Sequence, residues 1–156
     1  MYKNKNIKLV PLLYGGDQEF GLRPGTENVA GFIGFAKALE LVNKSKNKEV
    51  ARLTKLRDYF IMELLKIKNT SLNGHPTTRL PNNVNISFLG IEGESIMLKL
   101  DRLGIYVSTG SACHSLSLEP SHVIMALGQP SEYAHGSIRF TLGQSTTKKD
   151  LDQVLK

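Results

Sequence analysis

The spacing of apolar residues changes along the chain, and this change limits the possible fold more than any other feature. Between residues 29 and 67 apolar side chains recur every three or four positions, which predicts two long helices. In the first of them, residues 29–42, Phe32, Phe35 and Leu39 are expected to lie on one broad buried face. The polar segment NKSKNK between them is either a break or an exposed turn. From Asn83 onward apolar and polar residues alternate, as in a strand with one buried face. Helical and strand periods in one chain predict an α/β fold.

The remaining segments complete a predicted order of β–α–α–β–α–β–loop–α–β–α. Gly104 is expected to end the fifth element, and Pro120 to lie in the first turn of its helix, where its missing N–H would have no partner anyway. The other predicted elements are a strand at 7–14, helices at 92–104 and 120–127, strands at 105–107 and 136–142, and a last helix starting at Thr147 with Asp150 three residues later.

Composition favours one ordinary domain. The 156 residues are 40% hydrophobic, which is enough to bury a core, and the single cysteine excludes an internal disulfide. No apolar run approaches the roughly 20 residues of a membrane span, and we expect a cytoplasmic protein. The formal charge of +6 comes from scattered lysines, which predicts a solvated surface. A basic nucleic-acid binder remains an alternative that would need a clustered positive face.

Cys113 is the first candidate for chemistry. It lies in STGSACHS, a small and polar segment with neither helical nor strand period, whereas structural cysteines favour apolar runs. The N-terminus of the following helix and His114 are both able to stabilise a thiolate nearby. The alternative is an incidental surface cysteine.

Arg139 and Thr26 are the second and third candidates. Arg139 alternates with Ile138 and Phe140, so its guanidinium should point away from the buried face, where it suits a carboxylate or phosphate. The alternative is a surface arginine on an edge strand. Thr26 precedes a predicted helix in the turn RPGTEN, and either grips a phosphate or simply caps the helix. The four histidines are too dispersed to predict a metal site.

Three segments together resemble one family, the pyridoxal-phosphate-dependent cysteine desulfurases of aminotransferase class V. They are GGDQEFGLRPGTEN, STGSACHSLSLEPSHVIMALG and AHGSIRFTLG, in the order and at the spacing of that family. The cysteine segment is similar to the branch with a long, mobile cysteine loop, which serves iron–sulfur assembly and tRNA thiolation. The selenocysteine-lyase branch is a poorer match.

The resemblance implies a reaction and roles for the three candidates. Cys113 would take the sulfur of a cysteine bound to pyridoxal phosphate, leaving a persulfide and releasing alanine. Arg139 would hold the substrate carboxylate. Thr26 would hydrogen-bond the cofactor phosphate of the neighbouring subunit in a homodimer. The implied partners are L-cysteine and a sulfur acceptor, either an iron–sulfur scaffold or a tRNA-thiolation protein.

The sequence departs from the family pattern at several positions. The family's Schiff-base lysine lies in a Ser-x-His-Lys motif, and no lysine of this chain follows a histidine. The substituted positions are Asp17, Phe20, His114, Leu116 and Gln144. We therefore expect the C-terminal portion of a desulfurase, inactive alone.

The resemblance also predicts a domain division. Residues 1–26 would be a remnant of the large cofactor-binding domain with a connecting turn, carrying an exposed apolar patch. Residues 27–156 would form the small domain of the aminotransferase fold, a sheet of about three or four strands covered on one face by helices, with the cysteine loop at 108–118. The alternative hypothesis to a desulfurase portion is a non-catalytic module that retains the fold and acts as a sulfur relay or binds a partner.

Overall fold

The computed structural model describes residues 3–109 and 120–156, and it has the predicted α/β fold. The chain divides into two compact units, Met1–Ser45 and Lys46–Lys156. The predicted boundary after residue 26 stays a prediction. The elements are a 3-10 helix at Gln18–Gly21, α1 at Val29–Leu64, β1 at Thr70–Leu72, β2 at Asn83–Phe88, α2 at Gly93–Arg102, β3 at Ser108–Thr109, α3 at His122–Met125, α4 at Ser131–His135, β4 at Ser137–Thr141 and α5 at Lys148–Val154.

The two predicted N-terminal helices are one. α1 continues through NKSKNK without a break, so the prediction of a joint there is wrong. Neither glycine nor proline interrupts this segment, and Lys44 makes an i,i+4 ion pair with Glu40 at 2.5 Å. Ser45 donates its hydroxyl back to the Leu41 carbonyl, 3.2 Å away. Polar composition alone therefore does not end a helix.

Some of the predicted strands and later helices are confirmed and others are wrong. β2, α2 and β4 are confirmed, and Gly104 has the left-handed φ of 73° expected after a helix. Residues 7–14 form no strand, and the pairing predicted for 105–107 starts at Ser108 instead. Pro120 precedes the α3 N-cap, Ser121, and does not lie inside the helix. Sequence periodicity missed β1 and α4, which are only three and five residues long.

All the strand pairs in the sheet are antiparallel, in the order β1-β2-β4-β3. β2 and β4 pair through five residues, from Asn83 opposite Thr141 to Ser87 opposite Ser137. β4 is therefore an inner strand, with β2 on one side and β3 on the other.

The core lies between the sheet, the second half of α1 and α5. Its buried apolar members are Leu53, Phe60, Ile61, Leu64, Val84, Ile86, Ile138, Phe140, Leu142 and Leu151. The predicted inward positions of β4 and the residue after it are thus confirmed. Ile96 and Leu100 of α2 pack against the same cluster. The opposite face of the sheet, here called the outer face, is covered at one end by α4, where Ser87 and Ser137 donate hydroxyls to carbonyls of Tyr133 and Ala134.

The first unit exposes much apolar surface. Phe32, Phe35 and Leu39 of α1 are 54%, 74% and 53% exposed, so the buried helical face expected from their spacing is wrong for this part of α1. Leu12 and Tyr14 are also exposed, as expected for an apolar patch near the N-terminus. Among the residues that the structure describes, no helix has the length and hydrophobicity to cross a membrane.

Candidate functional site

A row of polar side chains crosses the outer face of the sheet at Arg139. On β4, Arg139 lies opposite Asn85 of β2 and opposite Ser108 of β3. Its neighbour Ile138 is fully buried in the core, and alternation along the strand places Arg139 on the other side, where it is exposed. The expected orientation is thus observed. The alternative of an edge-strand arginine is wrong, because β4 is an inner strand.

Arg139 lines a cleft of about 440 Å³ between the outer face and α3. Residues of α3 and the turn after it, Val123, Ile124 and Leu127, form one wall. The polar lining includes Asn73, His75, Arg79, Asn85, Thr109 and Ser121. No acidic residue belongs to the described lining, so the cleft has a net positive lining that suits an anion.

The floor of the cleft contains a buried amide, Asn73, which is 3% exposed. Its Nδ2 donates to Asn85 Oδ1 at 2.8 Å and to Ser87 Oγ at 2.7 Å. Because Ser87 gives its own proton to the Tyr133 carbonyl, its oxygen must accept, and this determines the orientation of the amide. Asn73 Oδ1 is left buried without a hydrogen-bond partner among the described residues.

A second guanidinium enters the cleft from the loop between β1 and β2. Arg79 is half-buried and uses Nε and Nη1 to donate to the carbonyls of Asn83 and His75, at 3.2 and 3.4 Å. Neither Arg79 nor Arg139 forms an ion pair with any residue in the described ranges. Burial lowers the pKa of Arg79 from its ordinary value, and the nearby charge of Arg57 lowers it further.

The loop that carries Arg79 is held from both sides. The guanidinium of Arg57, only 4% exposed, donates to the carbonyls of Arg79 and Leu80, each at 3.2 Å. It also binds Asp58 Oδ1 at 2.7 Å. On the other side, His75 Nδ1 accepts the backbone N–H of Thr78 at 2.8 Å. These bonds order the backbone on both sides of the Arg79 side chain.

Cys113 lies outside the described residues, so its position and its predicted role stay predictions. Thr109, the last described residue before its segment, lines the cleft, and so does Ser121, the second described residue after it. Cys113 follows Thr109 by four positions in the sequence. The covalent chain limits the separation of their Cα atoms to about 14 Å, at roughly 3.6 Å per residue.

Thr26 belongs to the first unit, just before α1. The cap of α1 is Asn28, whose Oδ1 accepts the Gly31 N–H at 2.9 Å and whose carbonyl accepts the Phe32 N–H at 3.0 Å. The alternative that Thr26 caps the helix is therefore wrong. Its hydroxyl makes no hydrogen bond to the described part of the chain. Thr26 lines a cavity of about 990 Å³, together with Arg23 and Lys3.

Sequence reasoning missed Arg79 and Asn73. Both lie in the segment LNGHPTTRLPNN, residues 72–83. This segment contains the turn-forming residues Gly74, Pro76 and Pro81 and resembles any polar connection between strands. Their relevance depends on the neighbourhood of Arg139, which is 60 positions beyond Arg79 and cannot be inferred from local spacing.

Comparison with known proteins identifies the family. The aminotransferase class-V family model matches residues 5–154, and the chain therefore belongs to that family. Two cysteine desulfurases named IscS are similar to it. That of Dictyoglomus turgidum is 58% identical over 99% of this chain, and that of Methanosarcina thermophila is 54% identical over 100% of this chain. The chain spans 40% and 39% of the length of these two relatives.

Solved structures agree with this relationship. One described as a NifS-like protein matches with a TM-score of 0.86 and 32% identity, covering 99% of this chain and 39% of its own. The NifS-like protein from Rickettsia africae matches with a TM-score of 0.83 and 29% identity, covering 96% of this chain and 39% of its own. The resemblance to cysteine desulfurases found in the sequence is confirmed, and so is the expected fold.

Proposed function

We propose that this chain is part of a cysteine desulfurase that converts L-cysteine to L-alanine and leaves the sulfur as a persulfide on Cys113. Family membership and the names of the similar relatives support this class of reaction. The chain spans about 40% of the length of those relatives, and we assign the whole reaction to the complete enzyme.

One observation carries the proposal: the guanidinium of Arg139, which forms no ion pair with the described residues, lies in a cleft lined by Thr109 and Ser121. Thr109 is the last described residue before the Cys113 segment, and Ser121 follows that segment after Pro120. A guanidinium binds a carboxylate through two parallel hydrogen bonds, so Arg139 would orient the substrate by its carboxylate. Connectivity keeps the Cys113 backbone within about 14 Å of Thr109. Substrate and nucleophile would thereby meet at one cleft.

The proposal assigns the following steps to the chain's own residues. The Cys113 thiolate attacks the sulfur of the substrate, an S–S bond forms, and the C–S bond breaks with its electron pair remaining on carbon. Pyridoxal phosphate, when bound, supplies the electron sink for that pair. Protonation of the carbon then gives L-alanine. Arg139 holds the carboxylate while the carbon–sulfur bond breaks.

The residues present fit the phosphate of that cofactor in part. The Thr26 hydroxyl has no partner among the described residues and lies in a turn with the basic side chain of Arg23, which suits a phosphate group. No lysine of the chain follows a histidine, so the lysine that would hold the cofactor covalently must come from elsewhere in the complete enzyme. The cofactor phosphate would belong to a neighbouring subunit in a homodimer.

The finer assignments belong to the same proposal. The sulfur acceptor would be an iron–sulfur scaffold or a tRNA-thiolation protein, and the enzyme would act in the cytoplasm.

A chimera tests the proposal. The matching segment of the Dictyoglomus turgidum cysteine desulfurase, 58% identical, would be replaced by this chain. We expect the purified chimera to release L-alanine from L-cysteine and to carry a persulfide on Cys113, detected by mass spectrometry of alkylated peptides. Cys113→Ser should abolish both products, and Arg139→Gln should raise KM for cysteine by about tenfold or more.

The control is a chimera with Arg102→Gln, which changes an exposed arginine of α2 outside the cleft. It should behave like the parent chimera. Two outcomes would contradict the proposal. One is a folded chimera that binds pyridoxal phosphate yet forms no alanine, and the other is a Cys113→Ser variant that still forms both alanine and a persulfide.

A further inference from the structure

Arg139 is accompanied in its cleft by Arg79, whose presence the desulfurase reaction as proposed does not explain. Arg79 is half-buried and forms no ion pair among the described residues. Asp58 favours its charged form, but the Asp58 carboxylate is bound by Arg57. Buried or partly buried cations in proteins are usually paired, since removing a charge from water is costly. The described part of the chain therefore supplies no anion to pair with the charge of Arg79.

The backbone around Arg79 is ordered more strongly than a surface connection requires. Arg57 binds the carbonyls of Arg79 and Leu80, and Arg79 itself binds those of His75 and Asn83 through Nε and Nη1. No bond to the described residues uses Nη2 of Arg79. The result is a guanidinium with a held stem and free donors at a cleft, an arrangement suited to binding a carboxylate.

The lining of the same cleft also includes a buried amide with an unused acceptor. The Oδ1 atom of Asn73, on a side chain that is 97% buried, has no donor within the described residues, although both N–H groups of that amide are used. A buried acceptor without a partner is rare in native proteins. The described residues thus supply neither an anion for the two guanidinium groups of the cleft nor a donor for Asn73 Oδ1.

We infer that Arg79 is a second carboxylate-binding residue, which acts with Arg139 on the carboxylate of a small amino acid bound in the cleft. The inference rests on the proposed function for the class of ligand, and it adds a residue that determines specificity. Two guanidinium groups in a cleft whose described lining contains no acidic residue strengthen binding of an anionic group and disfavour the amide or ester of the same compound.

The experiment uses the 156-residue chain labelled with ¹⁵N and observes the Nε–H signals of its arginines by NMR. L-alanine is the probe, because it carries the carboxylate and lacks a reactive sulfur, and L-alaninamide is the matched compound without a carboxylate. We expect the signals of Arg79 and Arg139 to shift with one common dissociation constant for L-alanine. L-alaninamide should shift neither signal at the same concentrations.

Variants separate binding from structure. Arg79→Gln should weaken L-alanine binding by about tenfold or more, and Arg79→Lys should retain part of the affinity, since the ammonium keeps the charge without the planar fork. Arg102→Gln should leave the affinity unchanged. The amide spectrum of the Arg79→Lys variant checks that the loop from Gly74 to Asn82 keeps its conformation.

The outcomes distinguish this inference from the proposed function. If L-alanine shifts the Arg139 signal but not that of Arg79, or if both Arg79 variants bind as tightly as the parent, the role of Arg79 is overturned while that of Arg139 stands. If neither arginine responds to L-alanine at high millimolar concentration, the inference is also overturned. An inactive chimera in the desulfurase assay would instead refute the reaction without changing these binding results.

Discussion

Phe60 of α1 and Phe140 of β4 meet edge to face, with ring centroids 5.1 Å apart and ring planes at 88°. This contact joins the helix to the inner strand that carries Arg139. Phe60 is fully buried, and Phe140 is 6% exposed. The position of the guanidinium on the outer face therefore depends on packing on the other side of the same strand.

Truncating this aromatic pair should destabilise the second unit. We expect Phe60→Ala to lower the free energy of unfolding by about 3–5 kcal/mol, since it removes a buried ring and leaves a cavity. Urea denaturation followed by circular dichroism measures the change. Tyr106→Ala is the matched control, because Tyr106 is 84% exposed, and it should change stability by less than about 0.5 kcal/mol. Equal losses in both variants would contradict the assigned core.

Arg57 should stabilise the loop that carries Arg79. Replacing it by methionine keeps much of the buried aliphatic volume but removes the donors to the Arg79 and Leu80 carbonyls. We expect a loss of about 1–3 kcal/mol in unfolding free energy and faster hydrogen exchange of amides in the loop. Arg102→Met, at an exposed position, serves as the comparison. Unchanged exchange in the loop would argue against its anchoring by Arg57.

Stability should fall in acid through two carboxylates of α5. Hydrogen bonds from the backbone and hydroxyl of Thr147 lower the pKa of Asp150 below its ordinary 3.8, and bonds from Tyr59 and Lys148 lower the pKa of Asp152 likewise. A lowered folded-state pKa gives stabilisation that is present above the unfolded value, near 3.8, and lost as pH falls through the folded value.

Thr147→Ala isolates the Asp150 part of this acid effect. We expect the variant to be less stable than the parent at pH 7, and the difference to shrink below pH 4, because the carboxylate that Thr147 binds becomes protonated. Urea midpoints between pH 2.5 and pH 7 provide the measurement, and Thr77→Ala in an exposed loop is a suitable control. A difference that grows in acid would refute the sign of this linkage.

The first half of α1 should cause self-association of the isolated chain. Phe32, Ile33 and Phe35 are all more than half exposed there, and contiguous apolar surface of this kind promotes association. Light scattering coupled to gel filtration should give a mass that rises above 17.3 kDa with concentration. Phe32→Ser combined with Phe35→Ser should reduce the rise, whereas Met62→Ser in the second half should have little effect. A strictly monomeric parent chain at all concentrations would disprove this expectation.

The isolated chain should not turn over cysteine. Mixed with pyridoxal phosphate and L-cysteine, it is expected to release no sulfide above the rate of the free cofactor, because no lysine follows a histidine in its sequence. Methylene-blue detection of sulfide, with Cys113→Ser as the comparison, makes the measurement. Robust release that depends on Cys113 would show that the chain needs no further domain.

Local sequence patterns determined the elements whose stabilising contacts are close in sequence or whose period is regular. The alternation around Ile86 and Ile138 predicted β2, β4 and their buried faces, and the Thr147–Asp150 spacing predicted the capping box. The helical period was less informative about burial, since it predicted a buried face for Phe32 and Phe35, which the structure exposes. A period identifies a face of an element but not what covers it.

By itself the sequence determined the fold class, the family through its three motifs, and the side of β4 on which Arg139 lies. Only the tertiary structure decided that β4 is an inner strand, that Arg79 shares the Arg139 cleft, and that Asn73 is buried there with an oxygen that no described residue donates to. The physical reason is that these relationships join residues about 30 to 70 positions apart. Their pairing depends on strand register and packing across the whole unit, which no local spacing encodes.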